Sequence, residues 1–255
     1  MASADRPTLM KTLVAAACIL LLGQPAQAAT SCQASSGPTP PTVVELYTSE
    51  GCSSCPPADR WLSQLKGRPD VLALAFHVNY WDKLGWPDRF ASAAATARQH
   101  QLAQLAKSSN VYTPQVVSNG RDAPDFQQWE QPPKAASAAA AAAPALTLQR
   151  EGDLVSVSIT PAKTMAAQGA AYAGYWAVLE DQHQSKVRAG ENAGETLKHD
   201  HVVRLYKPLP AWAARDVQRF SLQVSRGVPE FPRRVAFVVT DASGANPLQA
   251  LTLGC

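Results

Sequence analysis

The feature that most constrains this chain is Gly51-Cys52-Ser53-Ser54-Cys55-Pro56-Pro57, placed between an apolar run and a helix pattern. Upstream, Val43, Val44, Leu46 and Tyr47 form a short β-branched and aromatic run after Pro40-Pro41, which predicts a buried strand. Downstream, Trp61, Leu62 and Leu65 share one helical face, and Gly67 supplies a stop. A Cys-x-x-Cys at such a junction favours redox chemistry. Its first sulfur lies near unpaired amide donors and the positive end of the helix dipole, and both favour the thiolate.

What this motif serves depends on compartment. Arg6 and Lys11 are a basic n-region, Leu13 to Leu22 an apolar h-region and Ala26-Gln27-Ala28 a cleavage signal, so residues 1–28 are expected to be a secretory signal peptide and 29–41 a leader. The expected location is periplasmic or secreted. The h-region is too short to span a bilayer, and no later stretch has the ~20 apolar residues that a membrane span needs. A net charge of +3 without a dense Lys/Arg cluster excludes nucleic acid as a partner. Of five cysteines, Cys18 leaves with the signal peptide. The distant pair Cys32 and Cys255 are natural disulfide partners in an oxidising compartment, which leaves Cys52 and Cys55 free to cycle. Ala29-Thr30-Ser31 lacks the leucine-type residue that would make Cys32 a lipidated cysteine.

From residue 42 to 144 strand and helix patterns alternate. Val71 to Phe76 is a near-continuous apolar run, as expected of a strand covered on both faces. Pro87 is expected to open a long helix reaching about Lys107, and Asn119-Gly120 to turn a hairpin after Val111 to Val117. Pro132-Pro133 begin an alanine-rich helix that Pro144 ends. From 145 to 255 the texture changes to short strand-like runs, among them Leu154 to Ile159, Tyr175 to Leu179 and Arg234 to Val239, which suggest a β-sandwich-like domain. The expected fold is therefore α/β over 42–144, followed by an all-β C-terminal domain over 145–255. His199 and His201 alternate on one face of a possible strand, but two ligands do not make a metal site, and no metal or other cofactor is expected.

The order strand, Cys-x-x-Cys, helix, strand, long helix, Thr-Pro and hairpin resembles a thioredoxin-like domain. Glu45 to Asp59, His77 to Pro87 and Tyr112 to Gln115 more closely resemble a family of secreted bacterial proteins catalogued as domain of unknown function 1223. That resemblance extends to Gly190-Glu191-Asn192-Ala193-Gly194 and His201-Val202-Val203-Arg204. The thioredoxin resemblance implies a cis peptide bond before Pro114, lying against the disulfide, with Thr113 facing substrate. It also implies that Cys52 is the attacking thiol and Cys55 the resolving one. Glu45 is similar to the buried acid of thioredoxins, although one more residue separates it from the first cysteine; outward exposure is the other fate open to it.

The second strand of a βαβ unit delivers its C-terminal end to the same edge as the motif. His77, Tyr80, Trp81 and Trp86 should therefore flank Cys52, either as a wall for substrate or as packing for the loop. The resulting expectation is a thiol-disulfide oxidoreductase whose partners are protein thiols and disulfides or a small thiol. Two alternatives stay open. One is a non-catalytic binding protein with a structural Cys52–Cys55 bridge; the other is a copper or zinc carrier using the Cys pair and His77.

Overall fold

Period-two alternation explains how the run before the motif becomes a strand covered on both faces. In the computed structural model, which describes residues 1, 2, 31–129 and 137–255, β1 spans Ser31–Ser35 and β2 spans Thr42–Thr48. The expected signal peptide and the start of the alanine-rich helix lie outside the described residues. Val44 and Leu46 pack with Ala58 and Leu62 of α1 (Pro56–Ser63). Their neighbours Val43 and Tyr47 pack with Ala95 and Leu102 of α2 (Ala93–Leu105) on the opposite face. Strand β3 (Val71–His77) runs parallel to β2 from Thr42↔Val71 to Thr48↔His77 and divides its side chains the same way, Leu72, Leu74 and Phe76 against Ala73 and Ala75.

Two local expectations meet different outcomes. β4 (Gln115–Ser118) and β5 (Arg121–Asp122) are joined by Asn119 and Gly120 with φ of 47° and 81°, the two positive angles that a tight hairpin turn demands. The long helix, by contrast, does not open at Pro87. Ser92 is extended, with φ −144° and ψ 148°, and its side chain caps the Ala95 amide, so α2 begins at Ala93. Residues between Pro87 and Ser92 are instead shaped by the Asp88 carboxylate, which accepts from the Phe90 amide at 2.8 Å.

The second half supplies α3 (Ser137–Ala142), β6 (Ala145–Glu151), β7 (Leu154–Thr160), α4 (Lys163–Ala167), β8 (Ala171–Glu180), β9 (His183–Lys186) and β10 (Thr196–His199). It continues with β11 (Val202–Ala213), β12 (Gln218–Gln223), β13 (Arg233–Asp241) and β14 (Pro247–Leu253).

Their pairing overturns the expected fold class, an α/β thioredoxin-like domain followed by an all-β sandwich-like domain. The structure is mostly sheet, 43% strand and 16% helix. Eight strands from both halves form one sheet in the order β14-β13-β8-β11-β3-β2-β4-β5. The join is β11 beside β3: Val202 is in parallel register with Ala75, and the Ala75 amide donates to the His201 carbonyl at 2.8 Å. The physical reason is shared burial. Leu74 and Phe76 of β3 lie in the same apolar cluster as Tyr175, Ala177 and Leu179 of β8 and Ala236 and Val238 of β13. The other face of β8 and β13 presents Trp176 and Phe237 to a four-stranded sheet, β1-β6-β7-β12, through Leu146, Leu148, Val155, Val157 and Ile159. Within the large sheet, Gly174 of β8 lets β13 come close, because a Cβ there would stand 2.6 Å from the Val238 carbonyl oxygen. Strands β9 and β10 form a separate antiparallel hairpin. Among the described residues no helix is long and apolar enough to cross a membrane.

Candidate functional site

The cysteine motif lies between the end of β2 and the start of α1. Cys52 and Cys55 form a disulfide with their Cα atoms 5.4 Å apart. Although proline follows it, Cys55 has helical angles (φ −77°, ψ −35°), and Pro56 takes the first helical position, where no amide donor is missed. The Cys55 carbonyl accepts from the amides of Ala58 and Asp59 at 2.9 and 3.1 Å. Both cysteines are fully buried, whereas Ser53 and Ser54 between them are exposed. Ser54 Oγ lies 3.4 Å from Cys52 Sγ.

The loop between β9 and β10 fastens this motif from the far half of the sequence. Asn192 Nδ2 donates to the carbonyls of Glu50 and Cys52 at 2.9 and 3.0 Å. Glu191 Oε2 accepts from the Ser53 amide at 3.0 Å and the Ser53 hydroxyl at 2.8 Å. These hydrogen bonds hold the Glu191 carboxyl below the usual carboxylate range.

The aromatic side chains expected beside the motif, Tyr80, Trp81 and Trp86, are each hydrogen-bonded. Trp81 Nε1 donates to Thr113 Oγ1 at 2.8 Å, and the Thr113-Pro114 peptide bond is cis. Trp81 also comes close to the motif, since a Cβ on Gly51 would stand 3.1 Å from Trp81 Cβ. Tyr80 donates to Gln99 Oε1 at 3.2 Å, and Trp86 Nε1 donates to Glu50 Oε2 at 2.7 Å. His77 is not on the rim. It is 1% exposed, with Nδ1 2.6 Å from Asp88 Oδ2 and its ring against Phe90 and His199.

Under the motif lies a buried group of acids and imidazoles that sequence reasoning did not assemble: Glu50, Asp59, His77, Asp88 and His199. Asp88 Oδ2 also accepts the Glu50 amide at 2.9 Å. Burial pushes the Asp88 carboxyl up, but the charge and hydrogen bond of His77 and the amides of Glu50 and Phe90 outweigh it and hold Asp88 at about 2. His77 is pushed down by burial and, more strongly, up by the facing carboxylates, with a net rise. Burial leaves Asp59 raised despite the nearby imidazoles and its hydrogen bond from Thr48 Oγ1 at 3.1 Å. His199 Nε2 stands 3.3 Å from Glu50 Oε1. The Glu50 carboxyl is raised by burial and brought below its ordinary value by its contacts with His199, Ser185 and Trp86. His201 does not share this face. It has φ 58° and contacts Arg234 Nη2 through Nδ1 at 3.0 Å.

Glu45 contacts a different set of groups. Arg98 on α2 donates from Nη2 to Oε1 at 2.8 Å and from Nε to Oε2 at 3.3 Å; Tyr47 and Tyr175 hydroxyls donate to the same carboxylate at 2.5 and 3.2 Å. Cys32 and Cys255 form the second disulfide, with Cα atoms 6.6 Å apart. It ties β1 to the residues after β14. Among the described residues, no three of His, Cys, Asp and Glu are arranged to hold a metal ion. Of the residues that sequence reasoning did not bring to the motif, Glu50 and Asp59 lay in the Glu45–Asp59 stretch, Glu191 and Asn192 in the Gly190–Gly194 run and His199 in its alternation with His201, whereas Asp88 carried no signal.

A model of the family described as "Protein of unknown function (DUF1223)" matches residues 43–240. Among solved structures, the chain is similar to protein AGR_C_4864 from Agrobacterium tumefaciens, at 27% identity and a TM-score of 0.61, over 83% of this chain and 93% of that one. It is also similar to HBP35 of Porphyromonas gingivalis, at 14% identity and a TM-score of 0.54, over 84% of this chain and 75% of that one, a likeness of fold alone. No curated protein matches the chain.

Proposed function

The chain belongs to the DUF1223 family, whose description names no reaction, and from the site we propose that it is an exported thiol-disulfide oxidoreductase acting through Cys52 and Cys55. The observation that carries this reading is the division of its cysteines into two unequal pairs. Loop closure by the Cys32–Cys255 bridge, at a sequence separation of 223, corresponds to about 5 kcal/mol in the chain-entropy model. Closure by Cys52–Cys55, at a separation of 3, corresponds to only about 2 kcal/mol. The long bridge is therefore the effective staple. The short one sits at the start of α1, where the helix dipole is what favours a thiolate, because Pro56 and Pro57 carry no amide hydrogen and the Ala58 and Asp59 amides are taken by the Cys55 carbonyl. Two disulfides also suit an oxidising compartment, and with the secretory pattern of residues 1–28 they support a periplasmic location.

In the reduced protein, the Cys52 thiolate attacks a substrate disulfide, forms a mixed disulfide and releases one substrate thiolate. Cys55, as thiolate, then attacks Cys52 Sγ, which restores the Cys52–Cys55 bond and releases the second substrate thiolate. Thr113, Trp81 and Tyr80 would line the approach. Complete burial of both cysteines favours a second reading, a structural bridge within a binding protein. Replacing Cys55 by serine separates the two. Without the resolving thiol, mixed disulfides should accumulate on Cys52 under mild oxidation, and mass spectrometry that finds Cys52 unmodified would refute exchange.

A further inference from the structure

The stretch between the two sulfurs is held by a residue far away in sequence. Glu191 is exposed at the tip of the β9–β10 hairpin, and one of its oxygens takes both the amide and the hydroxyl of Ser53. The tip is ordered by its own backbone, Gly194 N to Val187 O at 2.9 Å and Val187 N to Glu195 O at 3.0 Å, and Asn192 anchors it to the Cys52 carbonyl. Two consequences follow. The Ser53 amide, next in the chain to Cys52, is occupied by a carboxylate and is not free to donate to a Cys52 thiolate. A negative charge is also fixed at the exposed mouth of a motif whose cysteines are buried. The other acids nearby, Glu50 and Asp88, are buried and engaged with Trp86, His199 and His77, so they do not present charge to an approaching molecule. The other exposed charges of the hairpin end are Arg188 and Glu195, and Lys83 is exposed on the turn after Trp81.

We propose that Glu191 determines specificity at Cys52, admitting cationic thiols and disulfides and disfavouring anionic ones. The proposal rests on the reading of Cys52–Cys55 as an exchange centre. A substrate reaches Cys52 Sγ by displacing the Ser53-Ser54 loop from the hairpin tip. A cation can take the Glu191 carboxylate from Ser53 and release the loop, whereas an anion is repelled and leaves the clamp closed. With a small thiol the chemistry balances: its thiolate attacks Cys52 Sγ, the Cys52–Cys55 bond breaks, and the Cys55 thiolate takes a proton from solvent. A second thiolate then attacks the mixed disulfide, and the Cys52 thiolate is protonated in turn. Two thiols become one disulfide as the protein disulfide becomes a dithiol.

The test is the rate of Cys52–Cys55 reduction in the folded chain by cysteamine and by 2-mercaptoethanesulfonate, each compared per thiolate. At low salt the cationic thiol should be faster by up to about thirtyfold, since one unit charge at short range in water attracts it by about fivefold and repels the anionic thiol by as much, and the ratio should fall toward one as salt screens it. Glu191→Gln, which keeps an acceptor for Ser53, should bring the ratio to about one at every salt concentration, and Glu191→Lys should invert it. A Glu191→Gln protein with wild-type unfolding temperature and an unchanged ratio would overturn the proposal while leaving exchange intact. If neither thiol reduces Cys52–Cys55 in the folded wild type, the exchange reading fails and the proposal fails with it.

Discussion

Replacing Glu45 by alanine removes the acceptor at the centre of a buried brace between β2, α2 and β8. Glu45 and Arg98 are each 2% exposed, so the guanidinium cannot turn to water when its partner is lost. It would keep the Gly244 carbonyl at 2.7 Å and the Tyr175 ring at 5.0 Å, neither of which neutralises it. Breaking a buried pair from one side costs about 3–5 kcal/mol. Orphaning the Tyr47 and Tyr175 hydroxyls adds a further part, about 1–3 kcal/mol for each unsatisfied group, which overlaps the first figure because all four groups share one network. The expected loss is about 4 kcal/mol, a large share of the ~5–15 kcal/mol that stabilises a typical domain. Urea unfolding with both disulfides intact, followed by tryptophan fluorescence, measures it. Glu45→Gln, which retains an acceptor, should lose less, and the apolar pair Glu45→Leu with Arg98→Met should recover much of the loss. A Glu45→Ala protein destabilised by under ~1 kcal/mol would refute the brace. So would a Glu45→Gln protein of wild-type stability whose thiol exchange is arrested, since Glu45 would then serve the disulfide as the thioredoxin resemblance implies.

Other consequences concern pH and the second bridge. Burial, and then the charge of Arg234, push His201 down to about 4. Between that value and ~6.5 the unfolded chain binds more protons than the folded one, so stability falls as pH drops through this window, and His201→Gln should flatten that limb of a pH-dependent melting series. Asp88, held at about 2, contributes stability that is present above the ordinary carboxylate range and is lost as pH falls toward 2. The stability gap between wild type and Asp88→Asn should therefore narrow in acid, and a gap that stays constant from neutral pH downward would contradict the His77–Asp88 pairing. Replacing Cys32 and Cys255 by serine should lower stability by up to about 5 kcal/mol and leave the exchange rate at Cys52 unchanged.

Local signals carried what they encode and no more. The apolar run before the motif, the Val71–Phe76 strand and the Asn119-Gly120 turn were legible because alternation and turn chemistry act over a few residues. The start of α2 was misread because Pro87 is a helix-opening residue in isolation, while Asp88 is occupied by the amides of Glu50 and Phe90. The single sheet was not legible at all. Its join is the Val202↔Ala75 register, a pairing between distant segments that no local pattern announces. The cysteine pairs followed from compartment and spacing. The groups around them did not, because Asp88, Glu191, Asn192 and His199 come from loops and a hairpin that meet the motif only in the folded chain. His199 and His201 illustrate the limit. Alternation put them on one face, but His201 takes a left-handed conformation at the end of the strand and turns to Arg234 instead.

The most direct test is a redox titration of the folded chain across graded dithiol buffers, with each disulfide quantified by mass spectrometry after acid trapping and the fold followed by circular dichroism. Exchange through Cys52 and Cys55 predicts that their bond opens first and reversibly, while Cys32–Cys255 and the native spectrum persist. Two bonds that open together, and only as the protein unfolds, would make Cys52–Cys55 a structural bridge and contradict the proposal that this chain is an oxidoreductase.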